Sequence, residues 1–231
     1  TEEVIAHDLA ADGEYAGEVA KTLIQGKGKR LRPALLLFSA RVDHFPSQTS
    51  YVAAAAMEMI HVATLAHDDV IDEATLRRDQ KTINTVFGNK IAILLGDFLY
   101  AKASSMLSSL GDVKLLQWVS EATTQMCLGE FTEAYLKETP NFNESYYLEV
   151  IHKKTARLMA ACCQSGAYLA RASKEEQELL YQFGLNFGMA FQIVDDYLDI
   201  TGDEKTLGKP CGLDLLRGKV TLPIIDLYHS S

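Results

Sequence analysis

Two acidic clusters of one form, DDVID at residues 68–72 and DDYLD at residues 195–199, each interrupt a long apolar stretch with helical spacing. Their flanks, MIHVATLAHDDVID and FGMAFQIVDDYLDI, are mostly apolar, so both helices bury most of their surface around the acids. In a helix Asp68 and Asp72 share a face with Asp69 one step round, and Asp195, Asp199 and Asp196 repeat the arrangement. Like charges at ~4 Å repel by ~4 kcal/mol at an effective dielectric near 20, and Asp is a mediocre helix former. With 15 Asp in 231 residues, one such match arises by chance roughly 0.06 times and two on the order of 0.002 times. The pair therefore points to multivalent cations that offset the repulsion. Hard oxygen donors without a Cys cluster point to Mg2+ rather than zinc.

Only five prolines and 15 glycines punctuate the chain, and its apolar period predicts helices near 2–25, 31–42, 47–73, 81–109, 112–138, 144–171, 174–202 and 219–229. Residues 43–50, 139–143 and 202–213 read as loops. No β-alternation of useful length is present, so the fold class is all-α. If the helices 47–73 and 174–202 face each other across a bundle, six carboxylates line one mouth. Thr64, His61 or Ile60, and Met57 then continue the face of Asp68 below it. Such a shaft suits an amphiphile with a diphosphate head and a hydrocarbon tail.

At 48% hydrophobic the chain can bury one sizeable core. A net charge of -9 disfavours nucleic acid as a partner. Two basic foci, Lys27, Lys29, Arg30 and Arg32, then Arg77 and Arg78, suit a small anion better than a polyanion. The four cysteines form no CxxC pair, which predicts reduced thiols in a cytoplasmic protein. No signal peptide is visible. The most apolar run, residues 51–66, is broken by Glu58 and His61, so no transmembrane segment is expected.

In order along the chain stand GKGKRLRP (26–33), HDDVIDEATLRR (67–78), LLGDFLYA (94–101), KTA (154–156), GMAFQIVDDYLD (188–199) and LGKPCGLDLLRGKVTLP (207–223). In these blocks the chain resembles the trans-polyprenyl diphosphate synthases. The resemblance implies an isoprenoid-synthase helical bundle around a deep central cavity, a homodimer, and a prenyltransferase that joins isopentenyl diphosphate head-to-tail to an allylic diphosphate with Mg2+. It implies Asp68, Asp72 and Asp195 as metal ligands, with Asp69, Asp196 and Asp199 as inner or outer ligands. Lys29, Arg32, His61 and Arg78 match the grip on isopentenyl diphosphate. Arg77, Lys154, Thr155, Gln192, Lys209 and Lys219 match the allylic side, where Lys154, Thr155 and Gln192 carry the catalytic role. On spacing alone His61 reads as a core histidine, and only the resemblance makes it a ligand. His67 reads as support for the acids, Gly96 and Asp97 as a buttress, and Gly184 and Gly188 as packing positions.

Three departures from the family pattern stand out: Lys27-Gly28 for two glycines, Asp79 after Arg78, and Gln80-Lys81 for Lys-Pro. Family members continue for several more helices, so residues 1–231 read as a single domain lacking its C-terminal helices. Bulky aromatics four or five residues before the first Asp give short products in the family. Here those positions are Thr64 and Ala63, which predicts a long-chain product that serves as a quinone side-chain precursor. The rival expectations are a partner-dependent subunit of a heteromeric synthase, a short-chain farnesyl or geranylgeranyl synthase, and a terpene cyclase. Cyclases commonly lack the basic set of Lys29, Arg32 and Arg78.

Overall fold

The structure, a computed structural model, describes residues 1–10, 28–41, 45–77, 80–202 and 211–230. Its helices are α1 (Glu2–Ala10), α2 (Leu31–Ser39), α3 (Gln48–Ile71), α4 (Ile83–Phe87), α5 (Asn89–Ser109), α6 (Val113–Glu138), α7 (Glu144–Ile151), α8 (Arg157–Leu169), α9 (Lys174–Thr201), α10 (Leu213–Leu216) and α11 (Leu222–Ser230). The all-α expectation holds, and the long helices start where the sequence places caps. The Ser47 side chain accepts the Ser50 N–H at α3, Asp112 accepts that of Leu115 at α6, and Ser173 with Glu176 closes a capping box at α9.

Three boundaries correct the sequence reading. The stretch 81–109 is not one helix, because Gly88 at φ 86 separates α4 from α5. The stretch 144–171 is interrupted by a π-helical turn, His152–Ala156, between α7 and α8. A small antiparallel hairpin, β1 (Leu76–Arg77) with β2 (Gln80–Lys81), follows α3 and pairs Arg77 with Gln80. Of the helix predicted over 2–25, residues beyond Ala10 lie outside the described residues.

α3 forms the centre of the core. Ala53, Ala54, Ala55, Ala56, Met57 and Met59 are wholly buried, and the small side chains let neighbouring helices approach closely. α5 packs along α3, α8 lies between α2 and α9, and the π turn sits against both α6 and α9. By length and composition α5 is apolar enough to cross a membrane, which the sequence reading did not recognise. In the fold its Ala92, Leu95, Leu99, Ala103 and Met106 are buried, and its neighbour along their length is α3.

Two glycines let the π turn lie so close. A Cβ on Gly129 of α6 would stand 2.8 Å from the Lys154 backbone nitrogen, and one on Gly188 of α9 2.5 Å from Ala156 Cα. Gly184 meets α8 in the same way at Ala160 Cα, so Gly184 and Gly188 are packing positions as expected. π turns inside helices occur frequently at functional sites, and this one carries Lys154 and Thr155.

Candidate active site

The C-terminal end of α3 presents the first acidic cluster, and its three acids differ. Asp69 is buried, and its Oδ1 accepts Arg77 Nε and Nη2, each at 2.9 Å. Asp72 caps α3 and is only partly buried. Its Oδ1 accepts Lys137 Nζ at 2.8 Å, while Lys219 and Arg217 approach Oδ2 at 3.5 and 3.8 Å. Burial pushes the Asp72 carboxyl up, but Lys219 and Lys137 outweigh it, and the group ends below the ordinary Asp value. Burial pushes Asp68 up to about 6, against the pull of Lys154.

Lys154 reaches toward this cluster from the π turn. Its Nζ is ion-paired with Glu130 and, at 2.6 Å, with Glu133, both on α6. Lys219 Nζ joins Glu133 at 3.4 Å. Burial raises Glu133, yet Lys154 and Lys219 bring it below the ordinary Glu value. Burial lowers Lys154, yet Glu133, Asp68 and Glu130 hold it well above the usual lysine range.

The second cluster divides the other way, with one open acid and two buried ones, where the first has two open acids and one buried. Asp195 is exposed. Asp196 is buried and accepts Tyr147 Oη at 2.7 Å and Gln192 Nε2 at 2.9 Å. Burial pushes it up to about 6 even so. Asp199 is buried, and its Oδ2 accepts the Asp214 N–H at 3.1 Å while its backbone carbonyl accepts the Gly212 N–H at 2.6 Å. Asp199 thereby fastens the segment that carries Arg217 and Lys219 across to Asp72. Gln192 Oε1 accepts Thr155 Oγ1 at 2.9 Å, so the π turn touches the second cluster through Thr155 and the first through Lys154.

Arg30 caps α2 in a left-handed conformation, φ 49 and ψ 38, between Lys29 and Arg32 of the basic cluster. Lys29 is exposed. Arg32 is partly buried, with its Nε buried and unbonded. Burial lowers it from the ordinary arginine value, with Cys162, Glu58 and Asp68 opposing. His61 is half-buried two turns before Asp68. Ala63 is buried in the core, while Thr64 is half-buried and donates to the His61 carbonyl at 2.7 Å. Arg78 and Lys209 lie outside the described residues. His67 turns to α5, where its Nε2 stands 3.1 Å from the Ile93 carbonyl and 3.4 Å from Asp97. Gly96 leaves room for its ring.

The sequence reading missed Glu130, Glu133 and Lys137. Their spacing of three and four on the predicted helix 112–138 was the available signal. It also missed Arg217, Tyr147 and the ion pair of Arg30 with Glu58, for which no short-range pattern exists.

Among the described residues, no three His, Cys, Asp or Glu side chains gather closely enough to hold a metal by themselves. The open acids nonetheless fit a hard divalent ion. Asp68 and Asp72 offer oxygen donors on one helix face, His67 is turned away, and Asp72 already attracts cationic side chains. Mg2+ commonly binds through one or two carboxylates plus substrate phosphates.

An all-α bundle whose π turn links two acidic clusters through Lys154 and Thr155 is the framework that the sequence resemblance implies. A family profile described as Polyprenyl synthetase matches residues 14–231. The octaprenyl diphosphate synthase of Escherichia coli (strain K12) is 39% identical over 97% of this chain and 70% of its own length. Heptaprenyl diphosphate synthase component 2 of Geobacillus stearothermophilus is 42% identical over 94% of this chain and 69% of its own. The crystal structure of a polyprenyl synthase from Caulobacter crescentus CB15, complexed with calcium and isoprenyl diphosphate, superposes with a TM-score of 0.93 at 36% identity, covering 100% of this chain and 70% of that one. The chain belongs to the polyprenyl synthetase family, and these two curated relatives are long-chain synthases.

Proposed function

We propose that this protein condenses isopentenyl diphosphate head-to-tail with an allylic diphosphate to make a long-chain all-trans polyprenyl diphosphate, with Mg2+ as its cofactor. The observation that carries this reading is the joining of both acidic clusters through one π turn: Lys154 lies beside the Asp68 and Asp72 cluster, and Thr155 bonds Gln192 beside the Asp195 cluster. The calcium and isoprenyl diphosphate of the Caulobacter relative support it.

Asp68, Asp72 and Asp195 would hold Mg2+, with Asp69, Asp196 and Asp199 behind them setting Arg77, Gln192 and the segment that carries Lys219. When bound, the metal would neutralise the allylic diphosphate and favour its departure. Arg77, Lys154, Lys209 and Lys219 add charge and donors at the same group. Lys29, Arg32, His61 and Arg78 hold isopentenyl diphosphate. The allylic C–O bond breaks and pyrophosphate leaves with the electron pair. The double bond of isopentenyl diphosphate then forms the new C–C bond to the allylic carbon. A proton lost to pyrophosphate restores an alkene in the chain. Thr155 Oγ1 and Gln192 Oε1 direct oxygen dipoles at the positive charge that develops between these steps. The small residues Ala63 and Thr64 keep the shaft open to a long tail suited to a quinone side chain.

We also propose a homodimer in the cytoplasm. Phe87, Leu94, Tyr100, Leu128, Phe131 and Tyr135 on α4, α5 and α6 are exposed apolar residues that a second copy would cover. All four cysteines are free thiols, as a reducing compartment allows. The name "component 2" of the Geobacillus relative favours one second reading, a subunit that needs a different partner chain.

The test is incubation of the purified protein with Mg2+, isopentenyl diphosphate and farnesyl diphosphate, followed by chain-length separation of the dephosphorylated products. A ladder ending at long prenyl alcohols supports the long-chain reading, and a stop at geranylgeranyl length, or at farnesyl length when dimethylallyl or geranyl diphosphate replaces the farnesyl primer, makes it a short-chain enzyme. No elongation from any allylic primer points to the heteromeric subunit.

A further inference from the structure

We infer that the ion pair between Arg30 and buried Glu58 is a positioning device for the isopentenyl diphosphate site, fixing the turn from which Lys29 and Arg32 reach the diphosphate. The inference rests on the functional reading above and adds two residues to it.

Arg30 holds a left-handed backbone that L-residues other than Gly, Asn and Asp seldom adopt. Glycine stands at position 28, two residues before the place where this conformation is needed, so the fold must hold Arg30 there by its side chain. Among the described residues two carboxylates hold that side chain: Nε donates to Glu2 Oε1 at 3.0 Å and Nη1 to Glu58 Oε1 at 3.1 Å. The Glu2 side chain is 70% exposed, whereas that of Glu58 is 4% exposed. Glu58 sits in the apolar middle of α3, where a carboxylate is costly unless paired, and no step of the reaction uses it. Arg30 engages one oxygen of Glu58, and Arg32 lies within the field of the same carboxylate. Among the described residues neither Lys29 nor Arg32 is ion-paired, and Arg32 Nε is buried without a partner. A backbone strained at one residue, beside two basic side chains that no salt bridge ties down, is what a preorganised anion site requires.

The test is steady-state kinetics on the full chain, with KM measured separately for isopentenyl and farnesyl diphosphates. Glu58→Gln and Arg30→Gly should each raise the isopentenyl KM by about tenfold while kcat and the farnesyl KM stay within about twofold. Gly tolerates the left-handed backbone, so Arg30→Gly removes the ion pair without adding strain, and it serves alone if Glu58→Gln does not fold. Arg30→Lys should recover most of the loss. The double variant should be no worse than either single one. A fall in melting temperature with both KM values unchanged, or equal rises in both, overturns the inference and leaves the functional reading standing. If Arg32→Ala also leaves the isopentenyl KM unchanged, the assignment of that site fails and takes the inference with it.

Discussion

Thr155 and Gln192 meet at 2.9 Å across the π turn and α9, and Gln192 in turn donates to Asp196. The carboxylate fixes which end of the Gln192 amide faces Thr155, so the oxygen of Gln192 lies beside that of Thr155. Two oxygens held together in this way stabilise positive charge better than either would alone. Thr155→Val keeps the side-chain volume and removes the hydroxyl. It should lower kcat by about ten- to hundredfold with little change in either KM. Single-turnover and steady-state rates check this, and an unchanged kcat would remove the pair from the chemistry.

The π turn depends on Gly129. Its added Cβ would press on the Lys154 backbone nitrogen at 2.8 Å, so Gly129→Ala must displace the turn or part α6 from it. A displacement of about 1 Å costs on the order of a hundredfold in rate. Gly129→Ala should therefore lose kcat far more than fold stability, as read by kinetics beside a thermal melt. Equal losses in both would make Gly129 a packing residue only.

The sequence carried the architecture because amphipathic period and capping residues are local. Ser47, Asp112 and Ser173 mark the starts of their helices by residue type and position alone. The acidic clusters were legible for the same reason. The division of labour within them was not. Whether Asp69 or Asp72 faces the opening depends on where Arg77 and Lys137 arrive, and Arg77 arrives on a hairpin of two-residue strands too short to leave a pattern. The π turn was hidden as well, since its cause is the absence of side chains at Gly129 and Gly188, both on other helices.

That division predicts different phenotypes for adjacent residues. Asp68→Asn should abolish the rise in melting temperature caused by Mg2+ with a diphosphate present. Asp69→Asn should keep that rise but weaken the hold on Arg77, raising the allylic KM about tenfold. Thermal melts with and without Mg2+, beside allylic KM values, separate the two. Identical behaviour of both variants would mean that the buried acid is also a ligand.

Under the proposed function, chain length should respond to both small residues, Ala63 and Thr64, but at different cost to the fold. Ala63 is packed in the core, so Ala63→Phe overfills it and should destabilise by about 1–3 kcal/mol as it shortens the product. Thr64 is only half-buried, so Thr64→Phe should shorten the product with a smaller loss. Product sizing and melting temperature of the two variants give the comparison. Wild-type product lengths from both would place the floor of the cavity elsewhere.

The metal-free site should be less stable at neutral pH than in mild acid. Burial pushes Asp68 and Asp196 up to about 6. Between the ordinary Asp value and that point, the folded chain holds protons that the unfolded chain has released, so stability falls as pH rises through the window. Asp72 and Glu133, held below their ordinary values, stay ionised throughout it. His152, which burial lowers, works in the opposite sense, so comparison with a single Asp variant is needed to isolate the effect. In EDTA at pH 7.5, Asp68→Asn should melt a few degrees above the wild type, and the gap should narrow as pH falls through about 6 and close only near the ordinary Asp value, about 4. Mg2+ binds the charged carboxylates, so its apparent affinity should fall by about tenfold per pH unit below 6 for each acid involved. A stabilisation by Mg2+ as large at pH 5 as at pH 7.5 would take Asp68 out of the binding step.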